Sequence, residues 1–107
     1  MYTYKARLNR VVDGDTVNLT IDLGFRLNMT ANCRLAGINA PEMATEAGKH
    51  SKMMLDMITP KKQDLIVHST GLDKYGRPIV IIEHFDKNEG SFNEWMVKNN
   101  YAVKYEG

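Results

Sequence analysis

The chain has 107 residues, a length that fits one domain able to bury its own core without staples. Hydrophobic residues make up 43% and charged ones 25%, ordinary globular values. A formal charge of +1, from 14 Lys and Arg against 13 Asp and Glu, excludes global steering of an anionic polymer, so any such attraction must be local.

Residues 2–12 alternate loosely, with Tyr2, Tyr4, Ala6 and Leu8 opposite Thr3, Lys5, Arg7 and Asn9, and read as a first strand. Asp13-Gly14 is a turn signal, after which Val17, Leu19, Ile21 and Leu23 alternate with Asn18, Thr20 and Asp22. Gly24 marks a second turn. From Phe25 the alternation resumes, placing Phe25, Leu27, Met29, Ala31, Cys33 and Leu35 on one face. Arg26, Asn28, Thr30, Asn32 and Arg34 take the other face, so Arg34 points away from the apolar side. The period changes after Pro41-Glu42. Ala44, Ala47, Met54, Leu55 and Ile58 fall at helical spacing, with Thr45 as a cap and Pro60 as a stop. Met53, Met54 and Met57 read as core filling rather than as a partner groove. Residues 64–70 and 79–85 predict two more strands around a loop that holds Gly71 and Gly76. Ser91-Phe92-Asn93-Glu94 matches a capping box and opens a second short helix, packed inward by Phe92, Trp95 and Met96. Residues 102–105 form a short extended tail.

Three strands, a helix, two strands and a helix make a mainly β chain with helices (α+β). That is the order of a five-stranded OB-fold barrel, here as one domain over residues 1–107. Cys33 is the only cysteine, which excludes an intramolecular disulfide and a cysteine-rich zinc site and suits a small buried residue. The longest purely apolar stretch, residues 79–82, is far short of a membrane span. Residues 1–5 run straight into strand-like sequence with no apolar signal region, so the expected location is cytoplasmic.

The chemistry concentrates in three segments. Arg34 to Glu42 carries a guanidinium at one end and a carboxylate at the other, Asp13-Gly14-Asp15-Thr16 precedes it, and Asp73-Lys74-Tyr75-Gly76-Arg77 follows. Two arginines with two or more carboxylates suit metal-assisted cleavage of a phosphodiester: carboxylates hold a hard cation and activate water, while guanidinium forks grip phosphate. Taken singly, Asp13-Gly14-Asp15 reads as a hairpin turn, and Arg34 or Arg77 as a solvated salt bridge. Tyr75 reads equally as a stacking platform for a base or as a loop cap. Lys49, Lys52, Lys61 and Lys62 read as a solvated helix face, and His50, His68 and His84 show no ligand spacing.

These segments, with Phe92-Asn93-Glu94, resemble in order and spacing the successive signatures of the staphylococcal-nuclease-like (thermonuclease) family. The resemblance implies an OB barrel and calcium-dependent hydrolysis of DNA and RNA, with another divalent cation as the alternative. It implies that Asp15, the side chain of Asn39 and the carbonyl of Ala40 ligate the metal. It implies Glu42 as the base on the attacking water, Arg34 and Arg77 as the phosphate clamp, and Lys74 and Tyr75 at the border of the bound nucleotide. The chain departs from the family pattern at Asn39, where the family usually has an aspartate, which removes one negative charge from the expected site. The competing expectation is a non-catalytic OB-fold module that binds single-stranded nucleic acid or a protein partner, with the acid–arginine cluster kept as a salt-bridge network.

Overall fold

A computed structural model describes residues 1–106 of the chain. Its elements are β1 (Tyr2–Asp13), β2 (Thr16–Gly24), β3 (Leu27–Leu35), β4 (Ile38–Asn39), α1 (Glu46–Ile58), β5 (Leu65–Leu72), β6 (Pro78–Ile82), α2 (Phe92–Lys98) and β7 (Val103–Lys104), with one 3-10 turn at Lys87–Glu89. Five strands close into a barrel in the order β1-β2-β3-β6-β5, and β4 and β7 form a separate ribbon. With its two α-helices this is the expected α+β OB barrel. Closure depends on one short parallel pairing, Arg34 with Ile79 and Leu35 with Val80, while every other barrel pairing is antiparallel.

Alternation selects the core. Leu8, Val17, Leu19, Cys33, Leu35, Leu65, Val67, Val80 and Ile82 point into the barrel, where Phe92 and Met96 of α2 and Leu55 of α1 join the same buried cluster. Asn18, on the polar face of β2, is buried nonetheless. Its amide donates to Asn32 Oδ1 at 2.9 Å and its carbonyl oxygen accepts from Asn9 at 2.9 Å, so its burial is fully compensated.

Helix α1 starts on Thr45, whose hydroxyl accepts from Gly48 N–H at 3.0 Å, and ends at Thr59, just before Pro60. The buried stripe differs from the expected one: Gly48, Ser51 and Leu55 face inward, while Ala44 and Ala47 are exposed. The reason is steric. The Pro41–Glu42 backbone crosses the helix so closely that a Cβ on Gly48 would lie 1.9 Å from the Glu42 carbonyl oxygen. Met53 and Met57 are also exposed rather than core residues, since they lie off that stripe.

Two further expectations change at the strand ends. The last barrel strand stops at Ile82, and Glu83 forms only an isolated bridge to Ser91, so Phe85 lies on the surface. Phe25, expected on the apolar face of β3, sits in the hairpin turn with φ 54° and is 96% exposed. Leu27 and Met29 are exposed as well, because the β2–β3 hairpin projects past the point where β6 closes the barrel.

At the other end, the Ser91 hydroxyl caps α2 by accepting from Glu94 N–H at 3.0 Å. Asn93 is the chief polar tie. Its Oδ1 accepts from Ile82 N–H at 3.1 Å, and its Nδ2 donates to the carbonyls of Ala36 at 2.9 Å and Val80 at 3.0 Å. One buried side chain thus joins α2, β6 and the β3–β4 turn, which fixes the walls of the site described next. Among the described residues no helix is long and apolar enough to cross a membrane.

Candidate functional site

The site forms where β3 leaves the barrel. Asp15 lies in the β1–β2 turn, held by its own N–H donating to Asp13 Oδ1 at 3.0 Å. Gly14 is needed beside it, since a Cβ there would lie 2.7 Å from the Ala40 Cβ and 2.8 Å from the Ser51 Cβ. The turn therefore presses against the 39–42 segment. Ala40 N–H donates to Asp15 Oδ2 at 2.8 Å, the Thr16 hydroxyl donates to Asp15 Oδ1 at 3.1 Å, and Leu35 N–H donates to the Asp15 carbonyl at 2.8 Å. Burial pushes the neighbouring Asp13 carboxyl above its ordinary range, and its contact with Asp15 adds to the rise.

Arg34 lies across this turn. Its Nη1 is 3.5 Å from Asp15 Oδ2 and donates to the carbonyl of Leu35 at 3.2 Å, and its Nη2 donates to Asn39 Oδ1 at 3.4 Å. Its guanidinium carbon is 5.8 Å from the centre of the Tyr105 ring. Across the cleft, Arg77 Nε is 2.7 Å from Asp73 Oδ2, and among the described residues its two terminal nitrogens take no partner. Asp73 also accepts from the N–H groups of Tyr75 and Arg77 at 2.9 Å each. Desolvation works to raise the Asp73 carboxyl, but the Arg77 and Tyr75 bonds outweigh it and hold it below the usual carboxylate range. Arg77 and Lys74 flank the Tyr75 ring at 5.6 and 5.3 Å.

These groups line one cleft of about 560 Å³, which contains Arg34, Asn39, Lys74, Tyr75, Arg77 and Tyr105. Three cations line it against the carboxylates of Asp73 and Glu106. The cleft thus sets two guanidinium groups and one ammonium close together between two tyrosine rings, with acidic partners beside them. Asp15 and Ala40 adjoin the cleft through Arg34 and Asn39 without lining it. Glu42 stands apart: it is exposed, its carbonyl accepts from Thr45 N–H at 3.0 Å and Thr45 Oγ1 at 2.6 Å, and its carboxylate has no partner among the described residues.

Sequence gives no role to Tyr105, and it gives Asp73 none of its own within the segment of residues 73–77. Tyr105 reaches the cleft because β7 pairs with β4, setting Val103 opposite Asn39, and because Tyr105 N–H donates to the Gly37 carbonyl at 2.8 Å. A two-residue strand gives no periodic signal. Asp73 was legible as an Asx turn, from its place two residues before Tyr75 and four before Arg77.

The donor set bears on the metal expectation. Asp15 Oδ2 and Asn39 Oδ1 are hard oxygen donors, and both already face one cation, the Arg34 guanidinium. The residues are of the kind a hard divalent cation takes, but they offer a single formal carboxylate, whose oxygens a cation would share with Arg34, Thr16 and Ala40 N–H. Among the described residues no three His, Cys, Asp or Glu side chains cluster as a metal site.

The fold and site together define an OB-fold barrel with a polar cleft, lined by two arginines and two tyrosines, at its strand ends. The chain belongs to the family of staphylococcal nuclease homologues, whose family model matches residues 32–107. This makes it a nuclease-like or nucleic-acid-binding module. The matched span includes Arg34, Asn39, Ala40, Glu42, Lys74, Tyr75 and Arg77 and begins after Asp15. A search of curated proteins gave no match.

Proposed function

We propose that the cleft binds a DNA or RNA strand and that the chain hydrolyses its phosphodiester bonds. The observation that carries this reading is the free fork of Arg77 facing Arg34 across a cleft bordered by Lys74 and Tyr75. Asp73 holds Arg77 through Nε, which leaves the two terminal N–H groups to bind a phosphate in bidentate fashion. Arg34 is restrained by Asp15 and Asn39 and offers fixed positive charge to the same phosphate. Tyr75 and Tyr105 offer ring faces for the flanking bases. A calcium ion on Asp15, Asn39 and the Ala40 carbonyl, its shell completed by water, would add positive charge where the phosphoryl oxygens become more negative. Glu42 takes the proton of the attacking water, and its lack of a partner leaves the carboxylate free to turn toward the cleft.

A specific observation favours a second reading, a binding module without hydrolysis. Glu42 does not line the cleft, and the oxygens of Asp15 are already occupied by Thr16, Ala40 and Arg34. One experiment separates the two: cleavage and equilibrium binding of a labelled single strand, each with calcium and with chelator. Hydrolysis supports the first reading if calcium is required, if Arg34→Ala or Arg77→Ala lowers it by about 10²–10³-fold, and if lysine fails to restore it. Tight binding with no cleavage under any metal condition leaves the second, and loss of neither activity in both alanine variants removes the clamp.

A further inference from the structure

Asp15 and Asn39 serve two claims on the same oxygens. They are the side-chain donors of the expected cation site, and they are also what the Arg34 guanidinium faces. Its Nη1 is 3.5 Å from Asp15 Oδ2, and its Nη2 donates to Asn39 Oδ1 at 3.4 Å. Much of Asp15 is already committed. Of the about four acceptor positions of a carboxylate, the Thr16 hydroxyl and the Ala40 N–H take one each, at 3.1 and 2.8 Å. Among the described residues, Arg34 is the one cationic side chain that pairs with Asp15, so a cation already stands where a metal would bind.

The guanidinium is held loosely there. Charge-assisted bonds run at about 2.7–2.9 Å, and Arg77 Nε reaches Asp73 Oδ2 at 2.7 Å. Arg34 makes no contact of that length. Its bonds to the carbonyls of Asp15 and Leu35 are 3.4 and 3.2 Å, and its approaches to the two side-chain oxygens are 3.5 and 3.4 Å. It also has somewhere to go. Arg34 lines the cleft, and its guanidinium carbon is 5.8 Å from the centre of the Tyr105 ring, whose face attracts a cation. Released from Asp15 and Asn39, the side chain still meets that ring.

We propose that Arg34 is an internal competitor of the cation: a divalent metal and the guanidinium exchange on Asp15 and Asn39, and the displaced guanidinium turns into the cleft. The exchange rests on the cation reading given above, because a dication and a guanidinium on the same two oxygens repel each other. Two consequences separate it from a site where Arg34 merely adds positive charge. In the metal-free chain Arg34 closes the cation position, so part of the metal's binding energy goes into displacing it. Any phosphate that draws Arg34 into the cleft relieves that penalty, so metal and phosphate strengthen each other's binding by the same factor.

Calcium titration calorimetry on the whole chain, with no nucleic acid present, reads the exchange without any cleavage. Arg34→Ala should tighten calcium binding by at least about fivefold, the lower end of typical coupling between two sites. Arg34→Gln should shift affinity in the same direction, and it serves if the alanine variant fails to fold. Arg77→Ala is the control. It removes the same charge from the same cleft but touches neither donor oxygen, so it should not tighten calcium comparably. In the parent chain, calcium should also move the Arg34 side-chain Nε–H resonance. Calcium affinity that is equal or weaker in the Arg34 variants overturns the proposal, as does an Arg34 resonance that calcium leaves in place. Equal tightening in Arg34→Ala and Arg77→Ala overturns it too, since that reports general charge alone. Calcium binding to no form removes the cation reading and the exchange together. Tighter calcium in Arg34→Ala, from a chain that never cleaves, keeps the exchange and removes only hydrolysis.

Discussion

Gly48→Ala is the substitution for which two ordinary effects predict opposite signs. In the interior of a helix, alanine is more favourable than glycine by about 1 kcal/mol. Position 48 lies inside α1, so propensity alone predicts a more stable protein. Packing predicts the reverse. The added Cβ would lie 1.9 Å from the Glu42 carbonyl oxygen, 2.5 Å from its carbon and 2.8 Å from the Pro41 carbonyl oxygen. All three obstacles are backbone atoms, so no side-chain rotation relieves the clash, and helix and loop must separate by about 1 Å to reach even a tight contact. The same Glu42 carbonyl accepts the two bonds from Thr45, so the movement also loosens the cap of α1. Overpacking of this kind costs about 1–3 kcal/mol, and the rigidity of the obstacles places this case at the upper end. We expect a net loss of about 1–2 kcal/mol, read as a lower urea midpoint and a melting temperature lower by roughly 4–8 °C per kcal/mol. A variant as stable as the parent, or more stable, would refute the close approach of the 41–42 segment to α1.

Asn93→Ala should destabilise the fold by about 2–4 kcal/mol in urea unfolding, because it strands the buried Ile82 N–H and removes the donor to the Ala36 and Val80 carbonyls; a loss under about 1 kcal/mol would mean that water replaces the amide. Asn39→Asp should tighten calcium binding in titration calorimetry, since it doubles the formal carboxylate charge of the expected donor set; an unchanged isotherm would put position 39 outside the shell. Asp73 has a folded-state pKa below its ordinary 3.8, so its stabilising contribution is complete above that value and is lost as pH falls through the folded pKa. Its carboxyl resonance should therefore titrate with a midpoint under 3.8, and a midpoint at or above that value would contradict the bonds from Arg77 and Tyr75.

The barrel was legible because alternation is a strong signal wherever one face is buried, as in Val17, Leu19 and Ile21 or Val80 and Ile82. It misled at Phe25, Leu27 and Met29, since local period cannot report that a hairpin outruns the strand meant to cover it. The helix stripe was misplaced because Gly48 and Ser51 carry no hydrophobic signal, yet both face inward. Glycine is buried there for what it lacks. In the cleft, Arg34, Asn39, Lys74, Tyr75 and Arg77 were identified as site residues and do share one cavity. Glu42 was identified with them, but its loop follows the packing of α1 rather than the cleft. Tyr105 escaped notice because a contact made by a two-residue ribbon depends on tertiary pairing with Ile38–Asn39.

That ribbon also sets an order of events during synthesis. The barrel's last strand ends at Ile82, while its core neighbours Phe92 and Met96, and the Tyr105 wall of the cleft, come later in the chain. At about 5–20 residues per second, a ribosome delivers Tyr105 on the order of one to five seconds after Ile82. During that interval the strands are present without the helix that belongs to their core, and apolar surface awaits its cover. The complete cleft therefore trails barrel assembly, because its Tyr105 wall is the last of these parts to leave the ribosome.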